Sequence, residues 1–270
     1  MCPVAVIDRM VAHCLLVETE RDGLVLVDTG LGTRDVSGAT KLSAAFRKIV
    51  GPVLAHNETA IAQVEARGFK ASDVRHIVIT HLDLDHAGGL VDFPTAKVHV
   101  HAREHAAAMA RADFKDRARY IKAHWAHGPK WEVYSEDGDT WRGLPAITRL
   151  RGLDADIGLV PLHGHTRGHS AIVVRGGDRW LVHAGDAYYH RGSIEGKLPL
   201  GIVAFERAMQ THPAQRRASV AALRQLHASY PDLDIFCAHD ASEFAALTSS
   251  ASARQASPAS SPAAASHRGA

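Results

Sequence analysis

The sequence predicts a mixed α/β protein, and three observations predict it. Short β-rich runs alternate with helical stretches, every strong cluster of His and Asp follows directly on a β-rich run, and no linker divides the chain. Loops at the C-terminal ends of strands are where α/β sheets keep their chemistry. The centre of this reading is Ile77 to Leu90. Ile77, Val78 and Ile79 form a buried strand, and the polar run that follows closes at Gly88-Gly89. Within the six residues His81-Leu82-Asp83-Leu84-Asp85-His86 there are two His and two Asp, with two Leu free to turn into the core. Imidazoles and carboxylates packed this closely need a cation, so a metal site is the simplest reading. A solvated His-rich loop is the alternative in a chain with 19 His.

The elements follow in order. Cys14 to Glu18 and Leu24 to Asp28 are strands of a hairpin turning at Arg21-Asp22-Gly23. Asp28-Thr29-Gly30 ends the second, where Asp28 is either a turn former or a support for the metal loop. Residues 41–49 and 58–67 are helical, the second with Gly68 as C-cap. Lys97-Val98-His99-Val100-His101 alternates with period two, which reads as a strand with His99 and His101 on an exposed face. Residues 102–125 are Ala-rich, basic and helical in spacing, and the stretch through Trp125, Trp131 and Trp141 reads as irregular. This segment is either a cap over the substrate pocket or a surface excursion.

Strands at Ile147 to Leu150 and Ile157 to Pro161 lead to His163-Gly164-His165-Thr166-Arg167-Gly168-His169-Ser170. Two more, Ala171 to Arg175 and Trp180 to Ala184, lead to Gly185-Asp186 and Tyr188-Tyr189. A helix over residues 214–230 precedes a last strand, Ile235 to Ala238, which ends at His239-Asp240. Residues 1–247 are expected to form one domain, and 248–270, rich in Ser, Ala and Pro, a disordered tail.

Composition narrows the function. A net charge of +2 with 22% charged residues argues against a nucleic-acid surface built on bulk charge. Cys2, Cys14 and Cys237 form no C-x-x-C pair, so neither a disulfide framework nor a thiolate zinc site is indicated. No apolar run approaches the roughly 18 residues that span a membrane, and the first residues lack a signal-peptide pattern. A cytoplasmic protein acting on a small molecule, with no nucleic-acid or membrane partner, is expected.

Taken together, five motifs resemble the metallo-β-lactamase superfamily of metal-dependent hydrolases. They are Asp28-Thr29-Gly30, the His81-to-His86 loop, Gly164-His165-Thr166-x-Gly168-His169, Gly185-Asp186 and Ala238-His239-Asp240, in that order. The gaps fit the family as well: 78 residues separate His86 from His165, then 20 and 52 separate the next pairs. The resemblance covers roughly residues 10–245. It implies a four-layer αββα sandwich with a two-metal site at one edge. His81, Asp83 and His165 would hold one metal, Asp85, His86 and His239 the other, and Asp186 would bridge them. His169 would stand behind the ligands, while His163 and His183 have no ligand counterpart.

Asp83 departs from the family, which usually has His there. With Asp85 and Asp186 it makes three carboxylates against two dications, so with a bridging hydroxide the ligand sphere sums to about zero instead of +1. That weakens the Lewis acid, and it admits Mn or Fe beside the expected Zn. Tyr189 sits at the offset of a tyrosine in the superfamily's lactonases, where it faces the substrate carbonyl; Tyr188 is the competing inward residue. Asp85 and Tyr189 are the catalytic candidates. The resulting expectation is a hydrolase with two divalent cations that cleaves a small ester, lactone or thioester. The alternatives are an Fe-dependent oxidoreductase such as a persulfide dioxygenase and a metal-binding module without catalysis.

Overall fold

A computed structural model describes residues 10–136, 138–177 and 179–255. Its first sheet has five strands in the order β1-β2-β3-β4-β5: β1 Leu15–Glu18, β2 Leu24–Val27, β3 Val74–Val78, β4 Lys97–His101 and β5 Lys130–Tyr134. The second has six in the order β11-β10-β9-β8-β7-β6: β6 Asp139–Trp141, β7 Leu144–Arg149, β8 Ile157–Pro161, β9 Ser170–Gly176, β10 Arg179–His183 and β11 Asp234–Phe236.

Side-chain alternation sorts the apolar residues into layers. Val25, Val27 and Val78 meet Leu159, Ile172 and Val174 between the sheets. On the outer face of the first sheet, Leu24, Leu26, Ile77 and Val98 pack with Val64 of the helix Ala60–Ala66 and Ala108 of the helix Ala102–Ala110. On the outer face of the second, Val160, Val173 and Val182 pack with Leu223 and Leu226 of the helix Pro213–Ser229. The result is the four-layer αββα sandwich. Strands covered on both faces read as continuous apolar runs, as Leu24-Val25-Leu26-Val27 does, with all four residues buried.

Strand direction places the polar loops. β2 and β3 run parallel, as do β10 and β11, so each pair delivers two successive C-terminal ends to the same edge. Asp28 and His81 leave the first pair, Asp186 and His239 the second. The two sheets meet there through the hydrogen bond from Ser170 N to Thr80 O, 2.9 Å.

Four expectations need correction. His99 and His101 are buried, because their face of β4 is the one turned toward the second sheet. His99 is spanned by His76 Nδ1 and Tyr134 Oη, each 2.8 Å from a ring nitrogen. The aromatic stretch is ordered rather than irregular, with Trp131 in β5 opposite Val98 and Trp141 in β6. A helix at Leu200–Met209, not foreseen, follows β10. The helix Ala241–Gln255 runs past residue 248, where a disordered tail was expected to begin, since its Ala-rich composition favours helix; residues 256–270 lie outside the described ones. No helix among the described residues is long and apolar enough to cross a membrane.

Glu243 anchors that last helix: it accepts from Cys237 N at 2.8 Å and from Tyr188 Oη at 3.0 Å. Burial pushes its pKa up to about 7. A carboxyl raised on folding favours the folded state at low pH, and that contribution is lost as pH rises from the unfolded value of 4.5 through about 7. Urea melts at pH 5 and pH 8 should therefore differ less in Glu243→Gln than in the native protein. An identical difference would show that Glu243 titrates normally.

Candidate metal centre

Asp28 organises one side of the site. Its φ of 56° is left-handed, a conformation that Asp tolerates better than most side chains. There its carboxylate accepts from Thr80 N (2.8 Å), Thr80 Oγ1 (2.7 Å) and His86 Nδ1 (2.8 Å). Of the two sequence readings, the structure bears out support for the metal loop. Burial works against the charge, but His86 beside it holds the carboxyl below its ordinary value.

These partners fix the imidazole tautomers. Thr80 gives its hydroxyl proton to Asp28, so His81 Nδ1, 2.9 Å from Thr80 Oγ1, must be the donor of that contact. His86 Nδ1 donates to Asp28, and His239 Nδ1 donates to Val11 O at 2.7 Å. With Nδ1 engaged in all three rings, each Nε2 turns into the same space, able to offer a lone pair to a cation or a proton to a carboxylate.

What faces them is more lone pairs. Asp186 Oδ2 lies 3.8 Å from His81 Nε2 and 3.5 Å from His165 Nε2, while Oδ1 lies 3.2 Å from His86 Nε2 and 3.1 Å from His239 Nε2. The two Nε2 atoms of His86 and His239 are 3.4 Å apart. His81 Nε2 and Asp186 Oδ1 are buried without a hydrogen-bond partner. Two groups of potential ligands emerge, His81 with His165 and Asp186, and Asp85 with His86 and His239. Acceptors converging in a dry site need cations between them, and the N/O donor set with a two-sided carboxylate suits two divalent ions. The tension shows in the titration: burial pulls His165 down to about 3, whereas Asp186 and Asp28 overcome burial and raise His86 well above its ordinary value.

Asp83 joins the first group from the side, its Oδ2 3.5 Å from His81 Nε2 and 3.0 Å from His165 Nε2. It also has a partner that the sequence did not announce. Arg119, at the end of the helix Phe114–Arg119, places Nη1 3.0 and 2.8 Å from the two Asp83 oxygens. Burial opposes the charge on Asp83, yet Arg119 and His81 hold it well below the usual carboxylate range. The count of about zero over the ligand sphere leaves this neighbour out: the guanidinium sets one positive charge beside Asp83.

Tyr189, not Tyr188, faces the cluster. Its ring stacks on His239 with centroids 5.1 Å apart, and its hydroxyl lies 3.4 Å from His165 Nδ1; Tyr188 instead reaches Glu243. Burial, then Asp186, raise the Tyr189 phenol well above its ordinary value, so it stays a proton donor. His169 donates through Nδ1 to Leu162 O (2.8 Å) and accepts at Nε2 from Asp186 N (2.9 Å), which leaves no nitrogen for a metal but fixes Asp186. His183 likewise uses both nitrogens, on His13 O and Gly185 N. A third group, His101 with Glu136 and His163, is already partly engaged, although His101 Nε2 is buried without a hydrogen-bond partner. His163 Nε2 is 2.7 Å from Glu136, and His101 Nδ1 already accepts from Arg103 N, which leaves its proton on Nε2.

Glu104, which the sequence gave no reason to choose, holds the two ligand loops together. It is fully buried, and its carboxylate accepts from Leu82 N (2.9 Å), Thr166 Oγ1 (2.6 Å) and Gly168 N (3.0 Å). The approach demands glycine at 168, where a Cβ would fall 2.1 Å from Glu104 N. Glu104→Ala should orphan three donors, lowering stability by about 3 kcal/mol or more. Metal content should fall with it, and elemental analysis with a denaturant titration measures both. A variant with native stability and metal would remove Glu104 from this account.

The comparisons with known proteins agree with this geometry. Residues 7–239 match the family model described as the metallo-beta-lactamase superfamily. A Mycobacterium tuberculosis protein named as a probable metallo-hydrolase is 44% identical over 234 residues, 86% of this chain and 75% of its own length. An N-acyl homoserine lactonase of Azorhizobium caulinodans is 31% identical over 125 residues, 46% of this chain and 44% of that protein. Among solved structures, an N-acyl homoserine lactone hydrolase with the product N-hexanoyl-L-homoserine at its catalytic metal center superposes with a TM-score of 0.66 at 22% identity, covering 88% of this chain and 84% of that one. Because the family match runs through both sheets and spans the donors from His81 to His239, the chain belongs to the metallo-β-lactamase superfamily.

Proposed function

We propose that this protein is a metal-dependent hydrolase that cleaves a small ester, lactone or thioester. The observation that carries the reading is the two-sided approach to Asp186: His81 and His165 face Oδ2, His86 faces Oδ1, and His239 lies 3.1 Å from Oδ1 and 3.3 Å from Oδ2. His81, Asp83 and His165 would hold one cation, Asp85, His86 and His239 a second, with Asp186 between them. Zn suits the imidazole-rich donor set, and the carboxylates also accept Mn or Fe. When bound, such cations would supply Lewis acidity, enough to lower the pKa of a water toward neutral and to polarise a carbonyl.

The remaining work falls to the chain. Asp28 and Val11 O keep His86 and His239 as Nδ1–H tautomers, so their Nε2 atoms stay available as ligands. His169 accepts from the Asp186 backbone N–H, which fixes the point from which the Asp186 side chain enters the cluster. Tyr189, packed edge-on against Phe205 at 5.0 Å, holds a neutral phenol at the rim of the cluster, where its proton can stabilise charge developing on a carbonyl oxygen. The lactone ring as substrate is favoured by relatives and structural neighbours whose names carry that activity.

Two measurements test the reading. His239→Ala should lower bound metal and abolish hydrolysis, and full metal occupancy in that variant would sink the two-metal assignment. Tyr189→Phe should retain its metal while kcat on an acyl homoserine lactone or an aryl ester drops ~10- to 1000-fold. An unchanged kcat returns Tyr189 to packing, and Fe with oxygen uptake in place of hydrolysis would replace the function itself.

A further inference from the structure

We propose that Arg119 is a positioning residue that acts as the fixed counter-charge of the metal centre, so that Asp83 and Arg119 together replace one neutral ligand. The inference rests on the two-metal reading above and deepens it. Three carboxylates, Asp83, Asp85 and Asp186, meet at this edge, and among the described residues only Asp83 is paired with a guanidinium.

The geometry is specific to that task. Arg119 is 7% exposed and spends a single nitrogen, Nη1, on both Asp83 oxygens, at 3.0 and 2.8 Å. A carboxylate oxygen has two lone pairs, so Oδ2 retains one for the space between His81 and His165, 3.5 and 3.0 Å away. The same Nη1 stands 3.4 Å from His165 Nε2, a poor place for a cation unless an anion lies between. The second terminal nitrogen is held elsewhere. Nη2 donates to Met209 O at 2.6 Å, and Lys115, one turn earlier, reaches Ala208 O and Gln210 O, so two cations grip the carbonyl end of the helix Leu200–Met209. That grip anchors the guanidinium on atoms outside the ligand cluster, and it ties the segment 102–125 to the centre.

A guanidinium left beside a neutral ligand would be a buried, unpaired charge facing two dications. Asp83→His should therefore weaken metal binding ~10-fold or more, although it supplies a good ligand, and adding Arg119→Met should bring affinity back to within ~3-fold of native. Arg119→Met alone should bind metal about ten-fold more tightly, because one repelling charge is gone. A purely structural Arg119 gives the opposite sign: weaker binding in Arg119→Met, with no recovery in the double variant. The readouts are elemental analysis of the purified full-length proteins and competition for Zn²⁺ against a chromophoric chelator. Where Arg119→Met fails to fold, Arg119→Gln removes the charge and keeps an amide donor toward Asp83, and the same tightening is expected. Unchanged or weaker binding in Arg119→Gln, or a double variant that binds no better than Asp83→His alone, overturns the role of Arg119. His86→Ala separates this from failure of the centre: full metal there sinks the two-metal reading, whereas metal loss there with no tightening when the Arg119 charge is removed sinks only the proposal.

Discussion

Much of the site depends on one carboxylate in an awkward backbone conformation. Asp28 sits at a left-handed φ because β2 must stop and turn there, and in that pose it faces the end of β3 next door. Through three hydrogen bonds it sets the position of Thr80, the proton on His81 and the proton on His86. An imidazole that rotates by half a turn presents a different atom, so a metal-binding loop needs its far nitrogens tied down. Val11 O does this for His239 and the Leu162 carbonyl for His169. The parallel pairs β2/β3 and β10/β11 make such support possible, since they stack one loop's anchor beside the next loop's ligand.

The legible part of the sequence was the part written locally. His81 to His86 lies in six consecutive residues after a strand, and Leu82 and Leu84 are buried as the spacing implied. Each of His165, Asp186 and His239 follows a β-run that the structure also shows as a strand, with ends shifted by a residue or two. Period-two alternation, however, states only that two faces differ. In a strand covered on both sides it does not say which face is wet, and that is how His99 and His101 were assigned to solvent. Arg119 and Glu104 were illegible for another reason. Their partners stand 36 residues away at Asp83 and 62 away at Thr166, and nothing near either residue marks it as special.

That distance changes how a motif should be read. The ligand loop alone suggested a centre stripped of its positive charge by an extra carboxylate. With Arg119 alongside, Asp83 is one half of an ion pair whose other half arrives on a different helix. Counting charges over consecutive residues therefore misstates a buried site wherever a long side chain from elsewhere ends inside it.

The first and last described segments also meet at this edge. Met10 pairs with Asp240, His13 N donates to Ala238 O, and Val11 O receives the His239 proton. A chain emerging from the ribosome exposes His81, Asp85 and His86 more than a hundred residues before His239, and until β11 takes its place beside β10 half of the cluster has no opposite wall. A cation captured during synthesis would be held loosely by one sheet's donors. The complete donor set therefore belongs to the finished fold, since His239 joins it only when β11 docks on β10.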